Sequence, residues 1–163
     1  MQRVAVVLGS TSDLPVAEKA IGVLKEYGVP VEVRVLSAHR CPNEAREFAA
    51  AARVNGFSVL IAFAGMAAHL AGALAANTTL PVIGVPCRGA QLDGMDALLS
   101  TVMMPSGIPV ATVAVDGAKN AALLAIEILA ITDGALAEKL AAHRAAETAA
   151  VLEADARLME QYR

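Results

Sequence analysis

The chain has 163 residues and a mass of 16.7 kDa, a size that predicts one domain and allows roughly 68% of the unfolded surface to leave water. Hydrophobic residues make up 56% and charged residues 18%, which excludes wholesale disorder, and a net charge of −3 without a basic stripe argues against a nucleic-acid partner. No apolar run is long enough to span a membrane, no leader pattern opens the chain, and Cys41 and Cys87 fit neither metal spacing nor a disulfide framework, so the expectation is a cytoplasmic protein with no membrane partner.

The apolar surplus is mostly Ala, Val, Leu and Ile; aromatics are 3% and Trp is absent. Small and β-branched residues suit helices packed on a parallel sheet buried on both faces, and the surplus suggests further burial between subunits.

In chain order, Val4 to Leu8 is a short β-branched run that stops at Gly9, as a buried strand would. A helical pattern follows through Ala17, Ala20, Leu24 and Tyr27, with Ser12 or Asp13 as its cap, Pro15 in its first turn and Gly28 with Pro30 as its stop. Val31 to Leu36 alternates apolar and polar residues, which predicts a second strand near a sheet edge. Pro42 opens a second helix that runs to about Asn55, with Gly56 as its stop. Val59 to Phe63 reads as a third strand, Ala67 to Ala76 as a helix beginning near His69, and Val82 to Val85 as a fourth strand. Cys87 to Asp96 reads as irregular and Leu98 to Met103 as a short helix. Val110 to Val115 is the fifth strand, Ala118 to Ile131 an apolar helix, and Ala135 to about Gln161 a long final helix. Leu136, Leu140, Val151 and Leu158 form its apolar stripe.

This alternation predicts an α/β fold with a doubly wound, mostly parallel five-stranded sheet and right-handed crossovers. In such a sheet ligands bind beyond the carboxyl ends of the strands, where the winding reverses. Three polar loops fall at that edge: Gly9–Asp13, Ser37–Arg40 and Gly65–His69.

Gly9-Ser10-Thr11-Ser12-Asp13 is neither a Walker A loop nor a dinucleotide fingerprint. Its hydroxyls and free N–H groups can cradle a phosphate, or it is simply a helix cap with a turn. Asp13 suits sugar hydroxyls better than phosphate. His39 beside Arg40 offers a proton carrier next to a cation able to grip phosphate or carboxylate, the plainer reading being a surface loop that caps the next helix. His69 is either a site residue or a buried histidine bonded to a backbone carbonyl. His143 reads as a surface residue, Cys87 as a small core residue with no base to activate it, and Met103 and Met104 as packing residues.

The loops occur in an order that resembles one family. Gly9-Ser10-x-Ser12-Asp13, Ser37-Ala38-His39-Arg40-x-Pro42, Ala67-Ala68-His69-Leu70-x-Gly72, Leu80-Pro81-Val82-x-Gly84-Val85-Pro86, Met104-Pro105-x-Gly107-x-Pro109-Val110 and Asn120-Ala121-Ala122-Leu123-Leu124-Ala125 follow one another along the chain. The set is similar to 5-(carboxyamino)imidazole ribonucleotide mutases of purine biosynthesis. The resemblance implies a flavodoxin-like three-layer fold in a single domain over 1–163, with an α/β core at 1–132 and an intersubunit C-terminal helix at 133–163. It also implies a homo-octamer with a small ribonucleotide substrate and no metal or organic cofactor.

By the same resemblance, Ser10, Asp13 and Arg40 bind the nucleotide, with Gly9, Ser12, Ser37 and Gly65 assisting. His39 is the general acid/base and His69 lines the site as a second catalytic candidate. The implied reaction moves a carboxylate from the exocyclic amine of an imidazole to the adjacent ring carbon. The chain departs from the family pattern at Phe63 and Met66, expected to add volume near the carboxylate pocket, at Cys41, where Thr is usual, and at Met103, where Gln is common. Two alternatives stay open: a carboxylase branch that uses free carbon dioxide, against which Arg40 and Ala67–Leu70 argue, and a nucleotide-binding module without catalysis.

Overall fold

In the computed structural model, which describes residues 2–163, the first four strands each start or stop at a glycine, a proline or a polar turn. The strands are β1 (Arg3–Leu8), β2 (Val31–Val35), β3 (Phe57–Gly65), β4 (Val82–Cys87) and β5 (Ala111–Thr112). The helices are α1 (Leu14–Glu26), α2 (Pro42–Ala51), α3 (Leu70–Ala75), α4 (Met95–Val102), α5 (Ala118–Ala130) and α6 (Gly134–Gln161). The sheet is parallel throughout, in the order β2-β1-β3-β4-β5, which is the flavodoxin-like arrangement.

Alternate residues of the inner strands feed two cores. Val4, Val6, Leu8, Val59, Ile61, Phe63, Ile83 and Val85 point to one face, where Ala17, Ala20 and Leu24 of α1 and Ala121, Ala122 and Ala125 of α5 cover them. Ala5, Val7, Leu60, Ala62 and Val82 point to the other, beneath Ala45 and Ala49 of α2 and Leu70, Ala71 and Leu74 of α3. Alanine at the helix contacts lets the backbones come close. Gly84 shows how close: a Cβ there would lie 2.4 Å from Cγ2 of Thr101 on α4 and 3.2 Å from Cβ of Ala71 on α3.

β2 is the outer strand on one side, as its alternating pattern predicts, and its charged residues guard that edge. Glu32 pairs with Arg3, whose guanidinium lies 4.0 Å above the Phe57 ring.

Several boundaries differ from the sequence reading. β3 extends two residues at each end because Phe57 pairs with Arg3 and Gly65 with Cys87. β4 likewise continues through Pro86, whose carbonyl accepts the Asp116 N–H at 2.9 Å. β5 is only two residues long, against an expected six: its outer edge has no partner strand, and the chain leaves the ladder after the Val113 N–H to Gly84 carbonyl bond. α2 ends at Ala51, and Ala52–Gly56 is a turn rather than more helix. α3 begins at Leu70 rather than Ala67, and α4 begins at Met95, three residues early, after Gly94 in a left-handed conformation (φ 90°).

α6 meets the rest of the fold along its first half, as far as the Arg144 pair with Glu127 of α5 at 2.5 Å. Leu136 is buried, Lys139 donates to the Tyr27 carbonyl at 2.9 Å, and His143 sits edge-on to the Tyr27 ring. The expected apolar stripe is not covered beyond there: Val151 is 67% exposed and Leu158 53%. His143 is exposed, as expected.

Candidate active site

The winding direction reverses between β1 and β3, since β2 lies on one side of β1 and β3 on the other. The segments that leave β1, β2 and β3 therefore share one edge. Backbone bonds hold them side by side: the Gly9 N–H donates to the Phe63 carbonyl and the Leu36 N–H to the Leu8 carbonyl, both at 2.9 Å.

After β1 the chain forms a single 3-10 turn, Thr11–Asp13, before α1. Ser10 caps this turn, and Asp13 stands at the N-cap position of α1, as one of the two expected residues. The Ser10 hydroxyl accepts from the Ser12 N–H (3.3 Å) and from the Ser12 hydroxyl (2.9 Å), while the Ser10 N–H donates to Oδ2 of Asp13 at 2.9 Å. Asp13 makes no side-chain bond to the start of α1; the turn has taken over that task, leaving Asp13 beneath it and 8% exposed. Burial pushes its carboxyl above the ordinary 3.8, and hydrogen bonds from the Ser10 N–H and the Cys87 side chain pull it partly back.

Cys87 is buried beside this carboxyl. Its thiol is pushed up to about 12, first by burial and then by the Asp13 and Asp116 carboxylates. It stays protonated, which removes it as a nucleophile and agrees with its expected core role.

The loop after β2 closes on itself. The Arg40 N–H donates to the Ser37 hydroxyl at 3.2 Å, the Cys41 N–H to the Ser37 carbonyl at 2.9 Å, and the Ser37 N–H to Sγ of Cys41 at 3.0 Å. These bonds occupy the Ser37 backbone and leave His39 and Arg40 exposed at the tip. Cys41 stands at the start of α2 without capping it through its side chain.

At the end of β3, Gly65 lies against β4: a Cβ would be 3.3 Å from the Cys87 carbonyl oxygen. Met66 follows in a left-handed conformation (φ 56°). His69 precedes α3 and is exposed, not buried against a carbonyl as one reading allowed. Its ring lies over Gly72, with Met104 on the same spot: a Cβ at 72 would be 3.0 Å from Sδ of Met104 and 3.2 Å from Cε1 of His69. Phe63 is a correction. It is fully buried in the core under α1 and α5, so it adds no volume at this edge; Met66, 70% exposed, does.

Sequence reasoning left two features of this edge unassigned. Gly72 has no role in the sequence reading beyond its place in the Ala67–Gly72 motif, although a glycine three positions after a histidine in a helical run was a usable signal. Arg88, just beyond β4, donates from its N–H to Oδ1 of Asp116 at 2.9 Å and from Nε to Oδ2 at 3.4 Å, and also pairs with Asp93. This clasp ties the β4–α4 loop to the β5–α5 loop, and both aspartates adopt positive φ (53° and 57°), which Asp tolerates better than most residues.

Two wide grooves lie elsewhere. One, of about 950 Å³, runs past Thr79–Val82 and Gly107–Ile108 at the amino ends of the strands; the other, about 630 Å³, lies between α5 and α6. Neither touches the three loops. Among the described residues no cluster of three His, Cys, Asp or Glu side chains is arranged to hold a metal ion, and no helix is long and apolar enough to cross a membrane.

Comparison with known proteins shows the family and the fold. The family model described as AIR carboxylase matches residues 3–150. An N5-carboxyaminoimidazole ribonucleotide mutase of Pyrococcus horikoshii is 56% identical over 137 residues, 84% of this chain and 77% of that protein. A protein of the same name from Methanocaldococcus jannaschii is 49% identical over 160 residues, 98% of this chain and 99% of its own length. The crystal structure of Treponema denticola PurE superimposes with a TM-score of 0.88 at 28% identity, over 97% of this chain and 99% of that one. The chain belongs to the AIR carboxylase family.

Proposed function

We propose that this chain is an N5-carboxyaminoimidazole ribonucleotide mutase, an isomerase of purine biosynthesis, and that its site is the β1–β3 edge. The observation that carries the site assignment is the convergence there of Ser10–Asp13, Ser37–Arg40 and Gly65–His69, in a chain about half identical to relatives named as mutases. The Ser10 and Ser12 hydroxyls receive the phosphate, with Gly9 at the base of the loop, where it packs against the end of β3. Asp13 faces the ribose hydroxyls, Arg40 grips an anionic group, and Ser37 shapes the loop that carries it. Gly65 and His69 line the carboxylate end.

The chemistry asks for one proton carrier. The imidazolium of His39 gives its proton to the exocyclic nitrogen, the bond from that nitrogen to the carboxylate carbon breaks, and carbon dioxide is released. The electron-rich ring carbon then attacks the carbon dioxide to form the new carbon–carbon bond. Neutral His39 removes the ring proton, which restores aromaticity and returns the imidazolium. Retention beside the ring supplies high effective concentration, and one imidazole serves both transfers.

The chain functions as one domain over 1–163 in the cytoplasm, with residues 133–163 reaching a neighbouring subunit in a homo-octamer. The uncovered apolar residues Val151 and Leu158 of α6 and Met95 and Leu99 of α4 support that assembly. Solution mass measurement tests it. The function is tested by incubating purified protein with the 5-carboxyamino nucleotide and following the 4-carboxylated product. His39→Asn is expected to lose about 10³-fold in rate without a change in melting temperature, because the side chain is exposed. Turnover only from the unsubstituted aminoimidazole nucleotide at high bicarbonate would establish the carboxylase instead, and binding without turnover the non-catalytic module.

A further inference from the structure

Met66 holds a left-handed backbone conformation (φ 56°) and is 70% exposed at the carboxyl end of β3. That conformation suits glycine and strains a residue with a Cβ. A glycine stands next door, but Gly65 is needed for space rather than φ, since a Cβ there would crowd the Cys87 carbonyl oxygen at 3.3 Å. The other non-glycine residues with positive φ are Asp93 and Asp116. Both are types that tolerate it, and Arg88 ties both in place. Met66 has neither reason: the residue type does not favour the conformation, and its side chain lies outside both hydrophobic cores. Backbone strain kept without a packing gain, between the candidate site residues Gly65 and His69, points to a task at the site.

We propose that Met66 is a specificity-determining residue that covers the place where carbon dioxide waits between release and recapture. The proposal rests on the mutase reading. Carbon dioxide leaves the exocyclic nitrogen as that nitrogen takes a proton. Either the ring carbon attacks the gas and gives up its own proton, or the gas escapes and the aminoimidazole nucleotide is left behind. A thioether side chain at this edge is flexible and apolar enough to exclude water and slow that escape without binding the gas.

The test compares the unsubstituted enzyme with Met66→Gly and Met66→Ala, each turning over the 5-carboxyamino nucleotide in carbon-13 bicarbonate equilibrated by added carbonic anhydrase. Alanine removes the cover and keeps the strain; glycine removes both. Both variants are expected to raise carbon-13 in the 4-carboxylated product, and free aminoimidazole nucleotide, by about threefold or more. Only Met66→Gly should gain melting temperature, by about 2–4 °C. Unchanged label in both variants, label rising in glycine alone, or product that already equilibrates with the label in the unsubstituted enzyme would each overturn the proposal. An unsubstituted enzyme that makes no 4-carboxylated product overturns the functional reading beneath it, a result the other outcomes do not mimic.

Discussion

Gly72 forms the surface against which the His69 ring rests: a Cβ at 72 would stand 3.2 Å from Cε1 and 3.3 Å from Nδ1. The contact lies one helical turn apart, where side chains at i and i+3 share a face, and a Cβ at 72 requires the ring, or Sδ of Met104 at 3.0 Å, to shift. The backbone of Gly72 is helical, so alanine suits its conformation. Gly72→Ala is therefore expected to displace the His69 ring, lower kcat/KM by about tenfold, and change melting temperature by no more than about 3 °C. Steady-state kinetics with a thermal melt check it; unaltered kinetics would separate the placement of His69 from turnover.

Gly84 is a different kind of glycine. It is buried in the middle of β4, and a Cβ there would meet Cγ2 of Thr101 at 2.4 Å and Cγ1 of Val110 at 3.1 Å. Thr101 cannot yield easily, because its hydroxyl donates to the Ala97 carbonyl at 2.7 Å in a buried position. Gly84→Ala is expected to destabilise by about 2–3 kcal/mol through overpacking. Thr101→Ser, which deletes Cγ2 and keeps the hydroxyl, should recover most of that loss in the double variant. Chemical denaturation of the four proteins measures the coupling, and additive losses would refute the contact as the cause.

The alternation of strands and helices and the three loops were legible because local chemistry dictates them. Gly9, Gly28 with Pro30, and Pro81 punctuate β-branched runs, and His39, Arg40 and His69 fall just after strands. What was not legible depends on partners distant in the chain. The length of β3 is set by Arg3 and Cys87, and the brevity of β5 by an absent neighbour. The Arg88–Asp116 clasp joins residues 28 apart in sequence. Phe63 was misplaced because its position near the end of β3 says nothing about which face it takes; its register with Leu8 does. The side-chain cap at this helix start belongs to Ser10 and the 3-10 turn before α1, and no periodicity reveals a single turn.

Cys41 binds Ser37 through sulfur, accepting its N–H at 3.0 Å and donating to its carbonyl at 3.3 Å. Sulfur is a weak partner in both roles, and α2 has no side-chain cap. Cys41→Thr supplies a hydroxyl to either group and is expected to stabilise by about 0.5–1 kcal/mol, a rise of about 1–4 °C in melting temperature. A lower melting temperature would mean that the thiol fits this loop better than oxygen does.

Asp13 couples stability to pH in the direction opposite to a salt-bridged carboxylate. Its folded carboxyl is raised above 3.8, chiefly by burial. Below that value both folded and unfolded chains are protonated, and the group costs nothing. As pH rises through 3.8 the unfolded chain gives up its proton first, so stability falls until the folded carboxyl ionises as well; above that point the loss is constant. Asparagine offers the Ser10 N–H an acceptor without a charge to bury. Asp13→Asn is thus expected to melt higher than the parent at pH 7, with the difference shrinking as pH is lowered toward 3.8, while kcat/KM falls by about 100-fold or more through loss of an anionic partner for the nucleotide. Thermal melts between pH 4 and 8, paired with kinetics at pH 7, measure both. A stability difference independent of pH would show that the carboxylate is not what the fold holds at a loss, and retained activity would remove Asp13 from the binding site.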